Sequence, residues 1–138
     1  MPPERGLPGS PADWLARARS DLALSRIPPP EGVLWEDLCF HAQQAAEKAI
    51  KAVYRAHGRA FRYTHDIAEL LDGLRREGVE VPARLGEAAE LTPFAWQARY
   101  PGTGEPPDEA EHRRALLLAE AVLRWAEAEA EGPRPRPG

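Results

Sequence analysis

A single cysteine, Cys39, is all the thiol chemistry the chain has, so neither an internal disulfide nor a zinc framework can be built from it. Asparagine is absent, and Val, Ile and Thr together number only eleven against twenty-four alanines. Strands favour β-branched residues, whereas Ala, Leu, Glu and Arg favour helices, so the scarcity argues against a sheet. No apolar run approaches the roughly 20 residues of a membrane helix, and no signal-peptide pattern opens the chain, which makes cytoplasmic the default location. An overall basic surface is also missing: the net charge is −4, so the protein as a whole does not attract nucleic acid or anionic lipid. There is no HExxH, glycine-rich phosphate loop or GxSxG elbow, and the four histidines (His41, His57, His65, His112) have no metal-ligand spacing. Neither cofactor nor metal is expected.

What remains is a chain of 138 residues, enough for one core, with 43% hydrophobic and 29% charged residues. Sixteen of the eighteen basic residues are arginine, a bias that fits a GC-rich or heat-adapted source. Residues 1–11 and 132–138 are rich in Pro and Gly and read as flexible tails around a domain at 12–131. A first helix is expected from Ala12 to Ile27, with Trp14, Leu15, Ala18, Leu22 and Ile27 inward and Pro28–Pro30 as its stop. A second is expected from Leu34 to His57, closed by Gly58, whose apolar residues fall in an arc of roughly 160° filled mostly by alanine. Thr64 reads as the N-cap of a short third helix carrying Ile67, Leu70, Leu71 and Leu74, with Asp66 and Glu69 in its first turn. A fourth segment from Ala83 to Trp96 holds Leu85, Ala88, Ala89 and Leu91 and is bent or split at Pro93. Asp108 opens a last helix to Glu131, with Ala115, Leu118, Ala121, Val122 and Trp125 inward. The pattern predicts an all-α, up-and-down antiparallel bundle of four or five helices.

Two features of the second helix are not explained by its core stripe. Phe40 lies opposite that stripe, among Glu36, Gln44, Glu47 and Lys51, with Tyr54 on the flank. It either meets another helix of the bundle or packs on a second copy; in the latter case Phe40, Gln43, Gln44, Glu47, Lys48 and Tyr54 form the interface. From Lys48 to His65, moreover, five basic residues (Lys48, Lys51, Arg55, Arg59, Arg62) and two histidines meet no acid, whereas eight acids face three bases from Thr103 to Glu131. Such a run is either a solvated helix end or, with the amides at Thr64–Asp66, an anion or phosphate site.

FHAQQAAEKAIKAVYRAHG (Phe40–Gly58), YTHDIAELL (Tyr63–Leu71) and ARYPG (Ala98–Gly102) resemble the prokaryotic HEPN domain, as does the Asp21-Leu22-Ala23 step. The most specific part is H-x-x-Q-A-x-E-K-x-x-K, from His41 to Lys51. The resemblance implies a helical bundle similar to the substrate-binding domain of kanamycin-type nucleotidyltransferases. It also implies a homodimer or higher oligomer, and a toxin–antitoxin-like pairing with a minimal nucleotidyltransferase or binding of a nucleotide-type ligand. Such a ligand would meet Lys48, Lys51, Arg55, Arg59, Arg62 and Arg99. Some HEPN branches are metal-independent ribonucleases with an R-x4–6-H motif. Arg59 and His65 satisfy that string as R-x5-H, with His65 as general acid/base and Arg59 stabilising the transition state, although ribonuclease members usually carry the motif later in the bundle. A helical adaptor without a small ligand is the third reading.

Overall fold

The computed structural model describes residues 6–97, 102 and 104–132. Its elements are α1 (Pro11–Arg26), α2 (Trp35–Ala56), α3 (Ile67–Arg76), a 3₁₀ segment (Ala83–Leu91), α4 (Phe94–Gln97) and α5 (Glu109–Glu131). Among the described residues there is no strand. Helix α2 is the centre of the bundle and packs against both α1 and α5, while α3 and the 3₁₀ segment close one side. Its inner stripe of Cys39, Ala42, Ala45, Ala46, Ala49 and Ala52 is fully buried. Small side chains there let two neighbouring helices approach at once; the larger Leu15, Leu22, Ile50, Leu70, Leu74, Leu118 and Val122 fill the space around them.

Helix starts follow their caps. Ser10 accepts the amide of Asp13, the carboxylate of Asp13 accepts the amide of Gly9, and Pro11 occupies the first turn. Proline loses nothing at that position, because the first-turn amides have no helical partner. The helix therefore begins inside the stretch expected to be a tail; residues 1–5 and 133–138 of the two expected tails lie outside the described residues. Asp108 caps α5 through the amide of Glu111, as its position suggests.

The structure differs from expectation at Thr64, Ile27, Leu34 and Ala83–Leu91. Asp66, not Thr64, caps α3 by accepting the amide of Glu69, while the Thr64 hydroxyl accepts the amide of Asp66 one step earlier. Ile27 and Leu34, assigned to core stripes, sit at the turn between α1 and α2 and are 45% and 55% exposed. Ala83–Leu91 is 3₁₀ rather than α-helical, and its buried Leu85, Ala88 and Leu91 recur every third residue, the 3₁₀ repeat. The chain then turns at Thr92–Pro93 into α4, so Pro93 splits the segment.

Candidate functional site

Helix α2 carries three polar residues one turn apart, Gln43, Glu47 and Lys51, and all three are buried. The Glu47 carboxylate organises them. Its Oε2 accepts from Lys51 Nζ at 2.7 Å; its Oε1 accepts from Gln43 Nε2 at 2.9 Å and from His65 Nδ1 at 2.8 Å. A carboxylate only accepts, so the proton on that side of His65 sits on Nδ1, and Nε2 is left without a partner among the described residues. Gln43 also donates to the His65 carbonyl at 3.4 Å and accepts from Gln44 at 2.7 Å. Burial pushes the Glu47 carboxyl up, but the bonds from Lys51, Gln43 and His65 outweigh it and hold the group below its ordinary range.

The Lys51 ammonium lies 5.5, 5.2 and 6.0 Å from the ring centres of Trp14, Phe61 and Tyr63. Its charge is thus shared between one carboxylate and three aromatic faces, an arrangement suited to a desolvated cation. Trp14 and Phe61 meet edge to face at 5.6 Å, which fixes the loop after α2 against α1. Tyr63, at 88% exposure, stands in solvent beside the His65 ring.

A second carboxylate–histidine pair lies on the neighbouring face of α2. Asp21 of α1 accepts from His41 Nδ1 at 2.9 Å and from Lys48 Nζ at 2.6 Å. His112, which unlike His41 and His65 is buried, donates from Nε2 to the Ser25 carbonyl at 2.7 Å, and the Ser25 hydroxyl donates to the Leu38 carbonyl. That chain of bonds ties α5, α1 and α2 together.

The loop from Arg59 to His65 alternates. Phe61, Tyr63 and His65 face the Lys51–Glu47 network, whereas Ala60, Arg62 and Thr64 line a pocket of about 230 Å³ against α3. Arg76, Glu69, Glu77, Tyr54 and Gly73 also border it. A Cβ on Gly73 would collide with the Tyr54 hydroxyl, which donates to the Leu70 carbonyl at 2.6 Å.

The residues singled out from the sequence are therefore divided among several places. Arg59 pairs with Glu77 at 2.9 Å and His65 with Glu47, so the two members of the R-x5-H string are held by different carboxylates. Arg62 pairs with Glu69 at 2.7 Å, Lys48 with Asp21 and Lys51 with Glu47, while Arg55 is exposed and unpaired among the described residues. Apart from Arg55, the run with no acid in its own sequence meets acids from α1, α2, the α3 region and, at His57–Glu129, α5. Arg99 lies outside the described residues. Of the six residues expected at an intermolecular surface, Gln43, Glu47 and Tyr54 are buried in the chain's own packing, because they serve the network and the Leu70 bond. Phe40, Gln44 and Lys48 keep part of their surface in solvent. Sequence reasoning missed Arg76 in the pocket, and it took Trp14 only as core. The Gln43–Glu47–Lys51 spacing of four was the signal available for the network.

The HEPN domain matches residues 11–129. The chain belongs to the HEPN domain family. Its structure is similar to that of TT1696 from Thermus thermophilus, at 33% identity and a TM-score of 0.72, covering 86% of this chain and 97% of that one. It is also similar to ST0689, an archaeal HEPN homologue, at 28% identity and a TM-score of 0.70, covering 88% and 98%. No curated protein matches the chain significantly. In this HEPN domain the matched region spans every described helix, up to the last turn of α5. No helix among the described residues is long and apolar enough to cross a membrane.

Proposed function

We propose that this HEPN domain is a non-catalytic binding module of the cytoplasm that assembles with itself, pairs with a minimal nucleotidyltransferase and holds a nucleotide-type ligand. The observation that carries the non-catalytic reading is the separation of Arg59 and His65 onto Glu77 and Glu47. A transition-state clamp needs its cation free to meet developing charge, and an arginine already neutralised at 2.9 Å is poorly prepared for that. The ligand reading rests on the polar pocket beside the same loop, where Arg76, without a carboxylate partner among the described residues, offers a guanidinium fork to a phosphate; Arg62, held by Glu69 at 2.7 Å, joins it only by exchanging that partner. Self-association is assigned to the outer edge of α2, at Phe40, Gln44 and Lys48. Titration with nucleoside monophosphates at low and moderate salt tests the ligand, and co-purification with the product of an adjacent nucleotidyltransferase gene tests the partner. Absence of both would leave a helical adaptor.

One observation favours the second reading, a metal-independent ribonuclease. Glu47 fixes the His65 tautomer and leaves Nε2 outward beside the exposed Tyr63, the arrangement a general acid/base requires. RNA cleavage in the presence of EDTA, abolished by His65→Ala, would establish that reading in place of the first.

A further inference from the structure

A well-formed cleft shares no lining residue with the Glu47 network or with the pocket at α3. With a volume of about 340 Å³, it opens between the 3₁₀ segment with α4 and the first turns of α5. Its interior is apolar, formed by Leu91, Phe94, Ala115 and Leu118. Glu90, Asp108 and Glu111 stand around it, and the one cation among its lining residues, Arg114, is engaged by Glu90 at 3.1 Å and Glu87 at 3.4 Å. That bridge joins α5 to the 3₁₀ segment along one side and neutralises Arg114. Asp108 is occupied as the helix cap, but the Glu111 carboxylate has no cation partner among the described residues.

The local field is negative. Glu109 is met by Arg113 at 3.5 Å, and the α5 dipole contributes roughly half a positive charge at this end, less than the combined charge of Asp108 and Glu111. Burial, and then the charges of Glu111, Glu36 and Asp108, push the buried Cys39 thiol up to about 12.

We propose that this cleft binds a small primary amine carried on an apolar stem. The stem lies against Phe94 and the accessible edge of Leu118, and the ammonium sits at the mouth against Glu111. A phosphate or carboxylate ligand is disfavoured by Glu111, which has no cation partner among the described residues, and a purely apolar ligand makes no use of it. The inference is independent of the nucleotide reading, which concerns a different pocket.

The test is titration of the full chain with phenethylamine hydrochloride, followed by amide chemical shifts, alongside its neutral counterpart phenethyl alcohol. The expected result is saturable shifts at residues 90–94 and 108–118 with the amine. The alcohol should bind about fivefold more weakly, and Glu111→Gln should remove that difference, the scale of one partly solvated ion contact. Ala110→Phe, on the exposed rim, should block the cleft without touching the core. Equal binding of amine and alcohol, shifts located elsewhere, or binding that survives Ala110→Phe would overturn the proposal. So would dissociation of an oligomer by the amine, since the occupant would then be a second copy of the chain.

Discussion

His65 and Glu47, eighteen residues apart, are joined at 2.8 Å, and that bond anchors the loop after α2 to the middle of α2. The carboxylate at its inner end is nearly inaccessible to solvent, while the imidazole at its outer end is 44% exposed. One bond thus connects a structural ion pair to the surface on which both functional readings depend.

Removing the inner partner should be costly. Glu47→Ala would leave the Lys51 ammonium buried with only aromatic faces around it, and breaking one member of a buried pair typically costs about 3–5 kcal/mol. Glu47→Gln keeps the shape and part of the bonding and should cost less. Urea unfolding of the three proteins gives the ordering.

Acid should weaken the fold through the same group. The Glu47 carboxyl is held below its ordinary value of 4.5, so its contribution is present above the unfolded value and is lost as pH falls through the folded one. Wild-type stability should therefore decline as pH drops below 4.5, and Glu47→Gln should show a shallower decline. Urea midpoints measured across that range provide the comparison; parallel slopes would assign the acid sensitivity to other carboxylates.

Gly73 should resist replacement even though alanine is the better helix former by about 1 kcal/mol. A methyl there displaces the Tyr54 hydroxyl from the Leu70 carbonyl. Gly73→Ala should destabilise, and much less so in a Tyr54→Phe background, where no hydroxyl remains to displace. Additive effects in that double-mutant cycle would disprove the coupling.

Self-association should appear as a mass above the 15.3 kDa of one chain in light scattering at micromolar concentration. Phe40→Glu should weaken the assembly more than Ile27→Glu, a change at the exposed turn between α1 and α2. A monomeric mass would remove the outer edge of α2 as an interface.

His65→Ala separates binding from catalysis. A binding module should lose affinity or stability modestly, whereas a ribonuclease should lose a general acid/base contribution of roughly 10²–10⁴ in rate. Arg62→Ala and Arg76→Ala should each lower nucleotide affinity about fivefold or more if the pocket at α3 holds the phosphate.

Much of the fold was legible in the chain itself. Alanine and leucine periodicity placed α1, α2 and α5 within a residue of their ends, and Asp108 and Gly58 marked boundaries correctly, because those signals act through local backbone chemistry. Thr64 misled because two nearby polar residues compete for neighbouring amides, and the choice between Thr64 and Asp66 depends on where Thr92 accepts the amide of Ile67. The 3₁₀ character of Ala83–Leu91 was available in the spacing of Leu85, Ala88 and Leu91, although Ala89 made it read as α-helical.

By itself the sequence determined an all-helical chain, the helix positions, the alanine face of α2 and membership in a family carried by the His41–Lys51 string. Those features depend on residues near one another along the chain, where propensity, periodicity and capping act. Only the tertiary structure decided the state of the charges. Lys48, Lys51, Arg59 and Arg62 looked like an uncompensated basic run, yet their carboxylate partners come from Asp21, Glu47, Glu77 and Glu69. Pairing energies depend on separation in space and on local dielectric, and neither quantity is a function of distance along the chain.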